Sequence, residues 1–248
     1  MTTHRLTRSA AGLLALVALG ATGCGTDNLT NANANPNSPE TAPAGPVFTT
    51  AARLAATRWL GAGYDMRGTS LVAQHLAEVQ YPESDQYTRL RANTVGGYFD
   101  GAYTGELKDL TSVVQAGQRD NAPRVYGPAL VLRAWTFGVI TDTWGDIPYS
   151  QSLAGDSASA VFSPAYDRQQ DIYADLFATL DRAAKDMAGA AAGSRGLGAA
   201  DPIYSGNTLR WQRFANSLRA RHAMRLSNVD PTTARTQLLA AIAAPGGL

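Results

Sequence analysis

From Val47 onward, apolar residues recur at intervals of three and four, and no alternating stretch of useful length breaks that period. Leu54, Trp59 and Leu60 mark a first helix, stopped near Gly61-Ala62-Gly63. A second is predicted over Met66 to Tyr81, with Leu71, His75, Leu76 and Val79 on one face and Tyr81-Pro82 ending it. A third runs from Gly97 to Gln118 through Tyr103, Leu107, Leu110 and Val114. The next is apolar almost all the way round, through Leu130-Val131-Leu132 and Trp135 to Ile140, which is the signature of a helix buried between neighbours. Ser163 to Met187 carries the cleanest stripe: Tyr173, Leu176, Phe177, Leu180, Ala184 and Met187, opened by a capping box of Asp167 with Gln170. Leu209 to Ser227 buries Trp211, Phe214, Leu218 and Leu226. Asp230 then caps, and Pro231 opens, a last helix through Ile242. The expected fold class is all-α, an irregular α-solenoid or bundle, without a visible fixed repeat.

The buried helix runs into Asp142-Thr143-Trp144-Gly145-Asp146-Ile147-Pro148-Tyr149. Gly145 suits a left-handed cap, and Pro148 blocks continuation while holding Ile147 extended. This stiff exit loop presents Trp144, Asp146 and Tyr149.

Upstream of the helical body the pattern changes twice. Residues 1–23 carry His4, Arg5 and Arg8, an apolar run from Ala10 to Leu19, then Ala21-Thr22-Gly23 before Cys24. That run is too short to cross a bilayer and fits the core of an export signal. Small residues directly before a lone cysteine are similar to a lipobox, in which Cys24 becomes the lipid-modified N-terminus and the link to the bilayer. Residues 24–46 follow as a tether, with Asn28, Asn31, Asn33, Asn35 and Asn37 among small residues and Pro36, Pro39, Pro43 and Pro46 interrupting any helix. Fully extended, the tether reaches on the order of 70 Å. The helical domain is assigned to residues 47–248.

Charge and cysteine content exclude several classes. The 21 Lys and Arg include Arg5 and Arg8, so 21 − 2 = 19 bases face 20 acids after the leader, which argues against nucleic acid as a partner. Cys24 is the sole cysteine, so neither a disulfide framework nor a thiolate metal site is available within the chain, and no cofactor is expected.

Four segments in order, behind a lipobox-like leader, resemble the SusD/RagB family of nutrient-binding outer-membrane lipoproteins. They are Leu76-Ala77-Glu78-Val79-Gln80-Tyr81-Pro82-Glu83-Ser84-Asp85-Gln86-Tyr87; Trp144 to Tyr149 with Gln151-Ser152-Leu153; Tyr166-Asp167-Arg168-Gln169-Gln170-Asp171-Ile172-Tyr173; and Asp201-Pro202-Ile203-Tyr204-Ser205-Gly206-Asn207 leading into Trp211 to Arg221. The resemblance implies tetratricopeptide-like helix pairs and a lipid-anchored, non-catalytic protein facing the cell surface. It would bind a nutrient, most often an oligosaccharide, and deliver it to a TonB-dependent transporter of the SusC kind. Family members are considerably longer, so residues 1–248 read as an N-terminal portion whose helix around Trp211 exposes an apolar face.

The candidate binding residues lie in the connector Tyr81, Asp85, Gln86, Tyr87, Arg89, Arg91 and Asn93. Its aromatic faces suit the C–H surface of a sugar ring, and its amide, carboxylate and guanidinium groups suit the hydroxyls. The alternative is a solvated connector whose tyrosines pack back on the body. The resemblance makes Asp142, Trp144, Gly145, Asp146, Pro148 and Tyr149 a structural loop, with Asp146 accepting backbone N–H groups. Catalysis has little support, since HExxH, GxSxG, P-loop and EF-hand patterns are absent. A secreted all-α polysaccharide hydrolase or lyase would need a convergent carboxylate or Tyr/His set in the remaining half of such a protein, and a second acid facing Asp142 or Asp146 across a cleft would favour it. A plain helical scaffold is the remaining alternative. His75 is expected in the core and His222 to be neutral and structural. Arg210, Arg213, Arg219, Arg221 and Arg225 are expected to pair across a helix interface, or to form an anionic-glycan patch.

Overall fold

The computed structural model describes residues 42–80, 82–88, 92–155 and 160–248, with the side chains of residues 92–95 outside that description. Its backbone is helical nearly throughout: α1 (Ala44–Trp59), a π-helical segment (Ala62–Thr69) running into the single turn α2 (Ser70–Val72), α3 (Ala92–Thr104), α4 (Glu106–Arg119), α5 (Pro123–Trp144), α6 (Gln169–Ala188), α7 (Thr208–Arg225) and α8 (Pro231–Ala243). Two-residue strands, β1 (Ile147–Pro148) and β2 (Tyr166–Asp167), pair antiparallel, Ile147 opposite Asp167 and Pro148 opposite Tyr166. From α4 to α8 each helix packs on the next, while α1 lies on α4 and α5, an all-α irregular solenoid of tetratricopeptide-like pairs.

Helix α5 is the axis of this arrangement. It touches α1, α4, α6 and α7, and Val131, Ile140, Leu130 and Phe137 are buried on different sides of it. An amphipathic stripe would leave one side open; this sequence has none to leave. Its neighbours bury single faces: Phe48, Ala51, Ala52, Ala55 and Trp59 on α1; Leu107, Leu110, Val113 and Val114 on α4; Ile172, Leu176, Leu180 and Ala184 on α6. Close approach of α5 to α7 depends on Gly138, where a Cβ would stand 2.5 Å from Cε1 of His222.

Among the described residues, the two fully buried carboxylates are both compensated. Glu106, in the first turn of α4, is fully buried and accepts from Arg58 Nε at 2.8 and 3.0 Å and from Trp59 Nε1 at 3.1 Å. Burial pushes its carboxyl upward, against the opposing pull of Arg58 and Trp59. Asp201 accepts from the backbone N–H groups of Ile203, Tyr204 and Gly206 and from Trp211 Nε1 at 2.6 Å, so the Asp201–Asn207 segment folds around one carboxylate and fixes the entry to α7.

Several expected boundaries move. The helix over Met66 to Tyr81 is not formed: α-helix ends at Val72, Gln74 takes φ 58°, and turns follow. Leu76 and His75 are exposed and Val79 is fully so, so the helical spacing of these residues meets no partner surface. The Gly97–Gln118 helix is two helices, broken at Gly105, whose φ of −107° and ψ of −109° leave helical space. The capping box does not form either. Arg168 is the N-cap of α6 without a side-chain bond, and Asp167 is engaged elsewhere. Asp230 caps α8 through Thr233 N at 3.0 Å as expected, with Pro231 in its first turn. Trp211 is wholly buried, while Leu209 and Met224 are the large apolar residues α7 exposes.

Candidate functional site

The exit loop of α5 and the start of α6 are joined by two carboxylates working in opposite directions. Asp146 Oδ1 accepts from the backbone N–H of Gln169 at 2.9 Å, satisfying a donor at the α6 N-terminus where negative charge is also favoured by the helix dipole. Asp167 returns the contact, accepting from Tyr149 N at 3.0 Å, Ser150 N at 2.7 Å and Ser150 Oγ at 2.7 Å. Burial works against Asp167 as an anion, but these bonds outweigh it and hold its carboxyl below the usual range. Gln169 Nε2 also donates to the Thr141 carbonyl at 2.6 Å, and the β1–β2 pair completes the clasp. Gly145 has the positive φ expected of it, 78°, but its ψ of −118° lies outside the left-handed helical region, in space open essentially to glycine alone.

Aromatic residues anchor the loop from inside. Trp144 packs against Phe99 at 5.3 Å and Trp59 at 6.4 Å between ring centroids, and Tyr149 against Phe137 at 4.7 Å. The Pro148 carbonyl accepts from Tyr103 Oη at 2.6 Å, and Tyr149 Oη donates to Asp175. Burial first, then that carboxylate, pushes the Tyr149 hydroxyl upward, so it stays protonated and a donor. Asp142 is faced by Tyr173, which donates to it, and by Arg225 at 3.1 Å, and among the described residues no second acid pairs with it. Burial raises its carboxyl while Tyr173 and Arg225 oppose that rise. Arg219 pairs with Asp181 at 2.8 Å, so two of the α7 arginines pair across helix interfaces. His222 is buried against Tyr173, and burial together with Arg225 and Arg221 lowers it to about 4, leaving it neutral near pH 7.

Of the connector candidates, Asp85, Gln86 and Tyr87 are described. Tyr81, Arg89 and Arg91 lie outside the described residues, as does the side chain of Asn93 at the start of α3, and Cys24 with the whole leader and most of the tether. Asp85 turns inward: its Oδ2 accepts from Glu78 N at 3.1 Å, and its carbonyl accepts from Gln74 Nε2 at 2.8 Å. Tyr87 does two things at once. Its hydroxyl donates back to the Val72 carbonyl at 2.7 Å, yet the residue is 62% exposed, held there with φ 55°. Gln86 is exposed beside it. The loop is thus a folded turn presenting one aromatic face and one amide.

A second feature was not singled out from the sequence. Between α4, α5, the exit loop and α6 lies a cavity of about 440 Å³, lined among others by Thr111, Arg133, Phe137, Tyr149, Leu153 and Asp175. Arg133 is the sole charged residue between Arg124 and Asp142, a signal that was available in the chain. Among the described residues no group of three or more His, Cys, Asp or Glu is placed to hold a metal ion, and no described helix is long and apolar enough to cross a membrane.

Comparison with known proteins agrees with this architecture. Residues 36–247 match the SusD-like_2 family model, described as starch-binding associating with outer membrane. Among solved structures, a chitin-binding protein is 25% identical with a TM-score of 0.71, over 84% of this chain and 43% of its own. A Bacteroidetes AC2a SusD-like protein is 27% identical, TM-score 0.69, over 84% and 37% respectively. A chitin-binding SusD homolog from Flavobacterium johnsoniae is 26% identical, TM-score 0.66, over 82% and 42%. The chain therefore spans less than half the length of these relatives. No curated protein matches. With a family match across nearly all of the chain after the leader, and a fold shared with its structural relatives, this protein belongs to the SusD-like family.

Proposed function

We propose that this chain is a non-catalytic carbohydrate-binding protein of the outer membrane, held to the bilayer through a lipid on Cys24 and working with a TonB-dependent transporter. The observation that carries the carbohydrate reading is the family match, joined to a shared fold with two chitin-binding proteins. The geometry is compatible with binding without chemistry. Asp142 and Asp146 are committed to Tyr173, Arg225 and the α6 N-terminus, so neither is free as an acid or base. Tyr87 offers an exposed ring of the kind that stacks on sugar C–H faces.

Adsorption of the full chain to insoluble chitin and to granular starch tests the reading. Retention on one of them, without release of soluble sugar, is the expected result. Passage through both without retention, or release of reducing ends, would refute it. Anchoring is tested separately, since Cys24→Ser should move the protein out of the membrane fraction.

A further inference from the structure

The cavity between α4, α5 and α6 has an unusual balance of committed and uncommitted groups. Asp171 is paired with Arg168 at 2.9 and 3.0 Å, Asp167 is filled by Tyr149 and Ser150, and Asp175 accepts from Tyr149 and Thr179. Arg133 is different. It lines the cavity from the buried α5 helix, and among the described residues its guanidinium makes no hydrogen bond or ion pair. Thr111 Oγ1, opposite on α4, is buried and also without a partner. A desolvated guanidinium and hydroxyl left unpaired are costly unless something else fills their bonding capacity.

The surroundings restrict what that something is. Asp167, Asp171 and Asp175 around one open cation disfavour a free anion, and Arg133 with the nearby Arg182 disfavours a cation. Phe137, Leu153 and Ile172 give an apolar wall. Two donors, the second carboxylate oxygen of Asp175 and an apolar surface together match a neutral polyol, whose hydroxyls both donate and accept while its ring C–H groups pack on the wall. The volume, about 440 Å³, lies within the roughly 300–1,000 Å³ of small-molecule sites.

We propose that this cavity is a saccharide subsite for one or two neutral sugar residues, with Arg133 donating to ring and hydroxyl oxygens and Thr111 completing the polar side. It rests on the carbohydrate reading above but is separate from the Tyr87 connector. Tyr149 orients the pocket: its hydroxyl is held by Asp175 and its ring packs on Phe137, so the two aromatic walls are fixed before a ligand arrives.

The test uses the full chain with glucose, N-acetylglucosamine, maltose and diacetylchitobiose at millimolar concentration, read by saturation-transfer NMR and calorimetry. At least one probe should bind, and Arg133→Gln should weaken it about 10- to 100-fold, the loss expected for hydrogen bonds to a charged donor. Thr111→Val should weaken it less. If Arg133→Gln fails to fold, Arg133→Lys retains the charge without the planar fork and carries the same expectation. A probe that binds wild type and the Arg133 and Thr111 variants equally overturns the pocket while the carbohydrate reading stands. So does a chain that adsorbs to chitin or starch yet takes up none of the four probes. A chain that neither adsorbs nor binds a probe overturns both.

Discussion

His222 makes the acid stability of this protein measurable at one side chain. It lies 3% exposed on α7, over the bare backbone of Gly138, edge-on to Tyr173, and among the described residues neither ring nitrogen has a partner. The groups facing it are Arg221 and Arg225 on its own helix, Tyr173 on α6, and Asp142 on α5 through its contacts with Tyr173 and Arg225. Burial and the two arginines hold its folded value at about 4, against 6.5 for the free side chain. The unfolded chain therefore binds the proton more readily, so stability is full above about pH 6.5 and is lost as pH falls toward 4. At 1.36 kcal/mol per pH unit across that interval, the loss is about 2 kcal/mol at pH 5 and about 3 kcal/mol at pH 4. Urea unfolding of wild type and His222→Leu from pH 7 to 4.5 isolates the term, because every other titrating group is common to both. The variant should lie within about 1 kcal/mol of wild type at pH 7, since the substitution breaks no hydrogen bond and keeps a similar volume. The two curves should then diverge as pH falls, wild type losing stability faster. Parallel loss in both proteins would refute the reasoning, and would mean that the ring takes up its proton as readily in the folded chain as in the unfolded one.

Two further perturbations probe the scaffold. Asp201→Ala removes an acceptor shared by three backbone N–H groups and the Trp211 indole, and thermal or urea unfolding should show a loss of about 3–5 kcal/mol, because those buried donors are left unpaired. A loss below about 1 kcal/mol would mean that water replaces the carboxylate. Asp146→Ala removes one bond at the α6 N-terminus and should cost about 1 kcal/mol, the usual size of a capping loss, and by loosening the clasp beside the cavity it should weaken saccharide binding less than Arg133→Gln does. Loss of binding with an unchanged unfolding midpoint would instead assign Asp146 to the ligand.

The legible parts of the fold are those in which neighbouring residues decide the structure by themselves. The stripe Tyr173, Leu176, Phe177, Leu180, Ala184 and Met187 is buried as a set, because a period of 3.6 with no Gly or Pro admits one solution. The Met66–Tyr81 stretch shows the same spacing and misleads. Leu76 and Val79 are exposed in bends, and a π-helical segment, whose extra residue per turn leaves no mark on a hydrophobic period, occupies the first four residues of the expected α-helix. Asp167 with Gln170 fails for a related reason. The local pattern is a capping box, but Tyr149 and Ser150, 18 and 17 residues away, claim the carboxylate first, while Asp146 from the same distant loop takes over the helix end.

Arg133 combines both situations. A single charge in the apolar stretch of α5 between Arg124 and Asp142 is visible in the chain, and it announces that something polar meets the helix midway along its length. What meets it is assembled from Thr111, the 149–153 turn and the start of α6, three segments that only the folded clasp brings together. The charge marks the position of the cavity; its chemistry exists only once Asp146 and Asp167 have locked the exit loop against α6. Loosening that clasp would therefore widen the cavity before it unfolded the helices, which ties the structural motif to the pocket behind it.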